Sequence, residues 1–418
     1  MKTRKKQAAS LMLICFMLFS FVSLCAQDGA SYTTISGIVK DQKSKKKLEY
    51  VNVSVPGTNI GTISNEDGRF SIKVSDSLQA RALEFTRMGY YNKLETLEGK
   101  NIEDMTVFMA LNARELPEVV VQYQNPLLVV EQALKNIDQN YSLNVNLLNG
   151  FYRETVKKGR NYIDISEAVI DIYKDPYNKG TYNDRVEINK GRKLLSQKAS
   201  DTLAVKLVGG PVMSVNADIV KNQDFLFNAN ELQLYTFQYE DPVMIDQVQH
   251  MVISFKPHTV TPYPLFLGKL YIAKNTLTIS KAELELDMRD KNKATMAILK
   301  KKPPKLRFKP EKVTFVINYK QHKGIAYLNY IHNEIKFKCD WKRRLFSTNY
   351  TVVSEMVITD IKAENIAKIS RKSAFKNDQS LADKVSDFYD ANFWQDYNII
   401  EPSESLESAI NKLRKQYK

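Results

Sequence analysis

Between residues 34 and 121, apolar and polar side chains alternate in short runs, and each run ends at Gly, Pro, Asn or Asp. Val51-Asn52-Val53-Ser54-Val55 alternates until Pro56-Gly57 breaks it. Phe70-Ser71-Ile72-Lys73-Val74 alternates again after Asn65-Glu66-Asp67-Gly68. Period two puts successive side chains on opposite faces of a strand, so the pattern fits half-buried sheets rather than amphipathic helices. Residues 35–39, 83–85 and 106–109 extend the series, and the spacing predicts a β-sandwich of about seven strands.

The Asn65-Glu66-Asp67-Gly68 cluster poses a choice between a cation loop and a turn. Asp-Gly supplies the positive φ a hairpin needs, and Asn65 can bond its own following backbone. A calcium loop wants about six to eight oxygen ligands at defined spacing, which this short segment does not offer. A turn is the prediction.

The same stretch carries a resemblance. "ISGIVKDQKSKKKLEYVNVSVPGTNIGTISNEDGRFSIKV", then "LEFTRMGYYNKLETL" and "LNARELPEVVV", is similar to the carboxypeptidase-like regulatory domain. That resemblance implies a transthyretin-like β-sandwich and an accessory module without catalytic residues. The module also precedes outer-membrane receptor barrels, but the residues remaining here are several hundred too few for a plug and barrel.

Residues 1–27 read as a secretory signal peptide. Lys2, Arg4, Lys5 and Lys6 precede an apolar run, LMLICFMLFSFVSL, and cleavage is expected after Ala26 or Gln27. Cys25 raises the alternative of a lipidated N-terminus, although Leu24 stands where such a site wants a small residue. No later run approaches the roughly 18 apolar residues of a membrane helix. The chain carries a formal charge of +14, and it stays strongly basic once the four signal-peptide cations are removed. Such a surplus suits envelope proteins, glycans or an anionic lipid surface, and export argues against nucleic acid.

Beyond the sandwich (33–122) the sequence predicts a β-rich domain over 123–375 and a helical tail over 376–418. Pro126 opens a helical pattern, and strands follow at 148–157, 162–173, 234–239, 249–257, 279–288, 313–319, 325–338 and 346–358. In the tail, 381–388 and 402–417 read as helical, with Ser403 as the cap of the second. The expected fold class is mainly β: the sandwich, then a curved antiparallel sheet with a few packed helices. "GKLYIAKNTLTISKAELELD" resembles the strand–turn–strand of periplasmic lipoprotein-carrier half-barrels, implying an apolar face for acyl chains. The alternative is a sheet face covered by its own helices. The ending "FWQDYNIIEPSESLESAINKL" resembles a tail of exported proteins that pair this module with a large β-rich region.

Chemistry is sparse. His250, His258, His322 and His332 lack the spacing of zinc ligands, so the zinc peptidase suggested by the family name is excluded. No nucleophile elbow or phosphate loop occurs. Cys339 reads as a structural thiol, and the Glu283/Glu285 pair as solvated charges. No catalytic, cofactor or metal residue is assigned. The one candidate site is a basic run between two strands, Lys300, Lys301, Lys302, Lys305, Arg307, Lys309 and Lys312, as an anionic-surface contact. The expectation is a non-enzymatic exported binding or interaction protein of the cell envelope. A lipid or lipoprotein carrier with a half-barrel pocket and a hydrolase with an unrecognised site are the alternatives.

Overall fold

A computed structural model describes residues 31–112, 125–201, 203–228, 231–341, 347–377, 379–387, 393–394 and 397–417. The signal peptide and Cys25 lie outside the described residues.

Seven strands build the first unit: β1 (Tyr32–Asp41), β2 (Asn52–Ser54), β3 (Gly61–Ile63), β4 (Arg69–Ser75), β5 (Ala82–Thr86), β6 (Lys93–Thr96) and β7 (Ile102–Met109). They form a three-stranded sheet, β4-β1-β7, and a four-stranded sheet, β3-β2-β5-β6. The alternation of the sequence becomes the core between them, with Ile35, Val39, Val53, Phe70, Ile72, Phe85 and Val107 buried together. Phe70 and Phe85 meet edge to face at 5.2 Å. β1 pairs antiparallel with β4 and parallel with β7.

Gly37 sits where the Met105 backbone of β7 passes close to β1. A Cβ there would lie 2.0 Å from the Met105 carbonyl oxygen, and backbone cannot yield as a side chain does. Gly37→Ala is expected to cost about 1–3 kcal/mol through overpacking. A urea midpoint equal to that of the natural protein would contradict the pairing described.

A single eleven-stranded sheet dominates the rest. Its strands are β8 (Asn146–Lys158), β9 (Asn161–Lys174), β10 (Arg185–Leu195), β12 (Tyr235–Ile245), β13 (Val248–Pro257), β14 (Phe266–Ala273) and β15 (Ile279–Leu286), then β17 (Leu306–His322), β18 (Ile325–Trp341), β19 (Thr348–Lys362) and β20 (Ser386–Asp387). The order is β12-β13-β14-β15-β17-β18-β19-β8-β9-β10-β20, antiparallel except at the β10–β20 edge. A two-residue pair, β11 (Lys206–Leu207) with β16 (Leu299–Lys301), stands apart. The described helices are α1 (Pro126–Lys135), α2 (Ile137–Asn140), α3 (Pro211–Asn216), α4 (Lys291–Ile298) and α5 (Glu404–Arg414).

Period two gives this sheet two unlike faces. On β17, Val313, Phe315, Ile317 and Tyr319 enter the main core, while Thr314, Asn318 and Lys320 point to the other side. The core face is filled by the chain itself: Val130 and Ala133 of α1, Ala294 and Ile298 of α4, and Ile219, Val220 and Phe227 pack on Ile170, Leu270 and Ile317. An open acyl-binding surface was one expectation for this face. It is instead the covered face of the alternative.

The opposite face carries the sandwich, and the end of the chain fastens it there. Ile63 of the sandwich, Phe151, Val169, Tyr330 and Val357 of the sheet, and Trp394 and Ile400 near the C-terminus share one buried cluster. Trp394 meets Phe151 edge to face at 5.4 Å. Within the tail predicted to be helical, α5 occupies only Glu404–Arg414, Leu381–Asp383 is a 3-10 turn, and Ser386–Asp387 joins the sheet edge. The stretch before α5 is extended because its backbone bonds run to other units rather than to itself. Ser403 caps α5 by accepting from the Leu406 N–H at 3.3 Å, as its sequence position indicated.

Candidate functional site

The turn singled out in the sequence is where the C-terminal segment docks. Asn65 Oδ1 accepts from the Asp67 and Arg69 N–H groups, both at 2.9 Å, which closes the turn locally. Its amide then faces outward, and Nδ2 donates to the carbonyls of Glu401 at 3.2 Å and Pro402 at 3.0 Å. Asp67 Oδ2 accepts from Glu404 N–H at 2.7 Å, placing a carboxylate at the positive end of α5. Asn398 bonds both backbone groups of Lys73, and Thr62 Oγ1 donates to the Ile399 carbonyl. Arg153 Nη2 donates to the Ile400 carbonyl at 2.7 Å from the sheet side. The Asn65 and Asp67 side chains of this turn are thus occupied by protein partners.

Beside this strap, a cleft of about 520 Å³ opens between the sandwich and the sheet. The sandwich contributes Glu49, Tyr50, Asn52, Thr86, Arg87, Met88 and Tyr90. The sheet contributes Asp246, Ser280, Lys281, Glu283, Thr314, Asn318, Lys320, Asn329, Tyr330 and His332, among others. Two irregularities shape its floor. The β14–β15 pairing passes over Ser280, and the β17–β18 pairing passes over Asn329. A bulge of this kind re-aims a side chain that strict alternation would send elsewhere. Direct bonds join sandwich and sheet at the cleft: Asn329 Nδ2 donates to Asn52 Oδ1 at 3.4 Å, and Gly89 N–H to the Met244 carbonyl at 3.0 Å.

One register row crosses the sheet beneath the sandwich, and its Glu355–Arg153–Glu167–Arg192 part alternates in charge. Lys269 pairs with Glu283, Glu283 with Val316, Val316 with His332, and His332 with Glu355. Glu355 then pairs with Arg153, Arg153 with Glu167, and Glu167 with Arg192. Opposite charges directly across strands attract, whereas like charges there would repel. At the cleft wall, Tyr330 OH donates to Glu355 Oε1 at 2.9 Å, and His332 Nδ1 is 3.8 Å from the same oxygen. Tyr50 of the sandwich covers this group, 5.8 Å from the Tyr330 ring and 6.0 Å from His332. Burial pushes the Glu355 carboxyl up, but His332, Arg153 and Tyr330 overcome it and hold it below the usual range. Glu167 behaves alike: burial opposes ionisation, and the guanidiniums of Arg153 (2.7 Å) and Arg192 (2.8 Å) outweigh it.

The basic run lies elsewhere. Lys300 and Lys301 sit on β16, Lys302 and Lys305 on the connection, and Arg307, Lys309 and Lys312 on β17, so most of the expected loop is strand. All but Lys312 are exposed, and none lines the cleft. Lys309 pairs with Asp340 at 2.7 Å, Lys302 donates to the Leu306 carbonyl at 2.9 Å, and Lys300 donates to the Asn377 carbonyl.

The histidines do not converge. His250 is buried, with Nδ1 donating to the Val248 carbonyl at 2.9 Å. Its Nε2 is therefore left to accept from Ser280 Oγ at 2.8 Å, which is the neutral tautomer that burial favours by lowering its pKa. Among the described residues no group of three or more His, Cys, Asp or Glu side chains is arranged to hold a metal ion. Cys339 is buried in the main core, and burial with the neighbouring Asp340 pushes its thiol up to about 11. Reactivity belongs to the thiolate. A polar thiol reagent is therefore expected to leave the folded protein unlabelled while labelling it fully in denaturant. Equal rates in both states would contradict the burial.

The cleft and the charged row escaped sequence reasoning. Their only local signal was polar residues on the outward positions of long strands, and which strands neighbour one another was not legible.

Residues 35–121 match the family model described as CarboxypepD_reg-like domain. No curated protein matches the chain. Among solved structures, a DUF1329 family protein from Desulfovibrio piger shares 11% identity, covering 58% of this chain and 96% of its own, at a TM-score of 0.25. A putative outer membrane lipoprotein-sorting protein domain from Vibrio parahaemolyticus shares 11% over 59% of this chain and 94% of its own, at 0.26. Lipovitellin shares 9% over 62% of this chain and 29% of its own, at 0.25. Scores this low carry no weight for fold or function. The seven-stranded unit at the N-terminus is a CarboxypepD_reg-like domain.

Proposed function

We propose that this is a non-catalytic, exported binding protein of the cell envelope, and that the cleft between sandwich and sheet holds its ligand. The working units are the sandwich (33–122), the β-rich body (123–375) and the C-terminal tail (376–418) that fastens one to the other. The carrying observation is the lining of the cleft. Asn318 and Thr314 offer an amide and a hydroxyl, and Asn52, Asn329, Ser280 and Thr86, each bonded within the protein, keep further donors or lone pairs, beside the rings of Tyr50 and Tyr90. That mixture suits a hydroxyl- and amide-rich ligand such as an envelope glycan, which needs hydrogen bonds in a partly dry cavity and no cofactor. A carrier of acyl chains would need the apolar face open, and that face is filled by α1, α4 and the segment through Phe227.

Titration of the mature protein with soluble envelope glycan fragments tests this reading. Asn329→Ala and Arg87→Glu are expected to weaken binding about tenfold each, roughly 1.4 kcal/mol. The charge reversals Lys305→Glu and Arg307→Glu are expected to leave it unchanged. The opposite pattern would move the binding surface to the basic run.

A further inference from the structure

A second cluster of buried charge lies on the covered side of the sheet. Lys174 ends β9, Asp218 follows α3, and both side chains are shut off from solvent. Lys174 Nζ stands 2.7 Å from Asp218 Oδ2. Asp184 Oδ2 is 3.7 Å from the same nitrogen, while Asp184 Oδ1 accepts from Lys221 Nζ at 2.7 Å. The Tyr319 hydroxyl donates to Asp218 Oδ1 at 2.7 Å, and the Tyr177 ring centroid lies 5.3 Å from Lys174 Nζ.

The ion pair is short, but its angles are poor for a hydrogen bond. Despite the 2.7 Å separation, neither Lys174 Nζ nor Asp218 Oδ2 has a hydrogen-bond partner of acceptable geometry among the described residues. Buried ion pairs persist when further hydrogen bonds satisfy their remaining protons and lone pairs, and buried polar groups are nearly always bonded. Here an amine nitrogen is pressed against a carboxyl group, a neighbouring carboxylate can move protons, and a hydroxyl is aimed at the second oxygen. Those are the requirements of amide formation.

We propose that Lys174 and Asp218 condense into a side-chain amide, an intramolecular cross-link between β9 and the segment that covers the sheet. A proton passes from Lys174 Nζ through Asp184 to Asp218 Oδ2, giving a neutral amine and a neutral acid, against the two carboxylates that together overcome burial and hold Lys174 above the usual lysine range. The nitrogen lone pair attacks Asp218 Cγ, and negative charge collects on Oδ1 beneath the Tyr319 hydroxyl. Asp184 carries a second proton from nitrogen to Oδ2, the Cγ–Oδ2 bond breaks, and water leaves with the bonding pair. Ammonium and carboxylate become amide and water, with no oxidant or co-reactant. Holding the two groups in contact supplies the effective concentration that the reaction lacks in solution. The product removes two buried charges and leaves Lys221 paired with Asp184.

Mass spectrometry of the denatured, full-length mature protein decides this. The expected intact mass is lower than the sequence mass by one water, and trypsin should release a branched peptide joining Lys174 to Asp218, uncut after Lys174. Asp184→Asn is expected to restore most of the missing mass. An intact mass equal to the sequence mass, with the two peptides released separately, would overturn the proposal whatever the variant does. So would a water loss located at Asp67-Gly68, where a succinimide gives the same deficit, or an ammonia loss from an N-terminal glutamine.

Discussion

Arg153→Met is expected to destabilise the protein by about 3–5 kcal/mol, the cost of removing one partner from a buried ion pair. Arg153 is 3% exposed and lies between Glu167 and Glu355 in the charged row. Its Nε donates to Glu167, its Nη2 donates to the Ile400 carbonyl, and its guanidinium lies 5.1 Å from the Phe151 ring. Methionine fills similar volume but makes none of these bonds. Glu167 would keep only Arg192, and the Ile400 carbonyl would lose its donor. The paired change Arg153→Met with Glu167→Gln should recover part of the loss, because the excess negative charge left by Glu167 and Glu355 against Arg192 alone is then gone. Denaturant melts of the single and double variants measure this, and equal stability of natural protein and Arg153→Met would contradict a buried pair.

Ile400→Asp is expected to release the strap. Ile400 is 1% exposed within the cluster of Ile63, Phe151, Tyr330 and Trp394. Loss of a buried isoleucine alone costs about 2–5 kcal/mol, and an unpaired carboxylate adds desolvation to that. The penalty falls on the joint rather than on either core, since the sandwich and the main sheet each close a core of their own. The expected result is a calorimetric trace split into two transitions, with protease cutting first near residue 400. One cooperative transition shifted to lower temperature would mean that the strap is not what couples the two units.

The sequence showed the strands better than their neighbours. Alternation placed β18 and β19 within a few residues and found residues 313–319 of β17 but not its first seven, because burial of one face leaves its mark at every second position. Asn65 was read as bonding its own following backbone, and its Oδ1 does so. That its Nδ2 holds residues 401 and 402 was not legible, because nothing local records a partner more than three hundred residues away. The predicted helix at 381–388 gave way to a 3-10 turn and an edge strand because Ser386 and Asp387 pair with Arg192 and Lys193. The cleft depends on strand neighbours, on bulges that expose Ser280 and Asn329, and on the docking of a separate unit. None of these has a periodicity. The basic run, by contrast, was conspicuous in sequence and lies outside the cleft, since seven cations close together need only solvent and a few acceptors.

Hydrogen–deuterium exchange of the mature protein, with and without soluble envelope glycan fragments, tests most directly whether the cleft is the ligand seat. Protection on ligand addition is expected at residues 49–52 and 86–90 of the sandwich and at 314–320 and 329–332 of the sheet. Protection confined to residues 300–312, or none at saturating ligand, would contradict it.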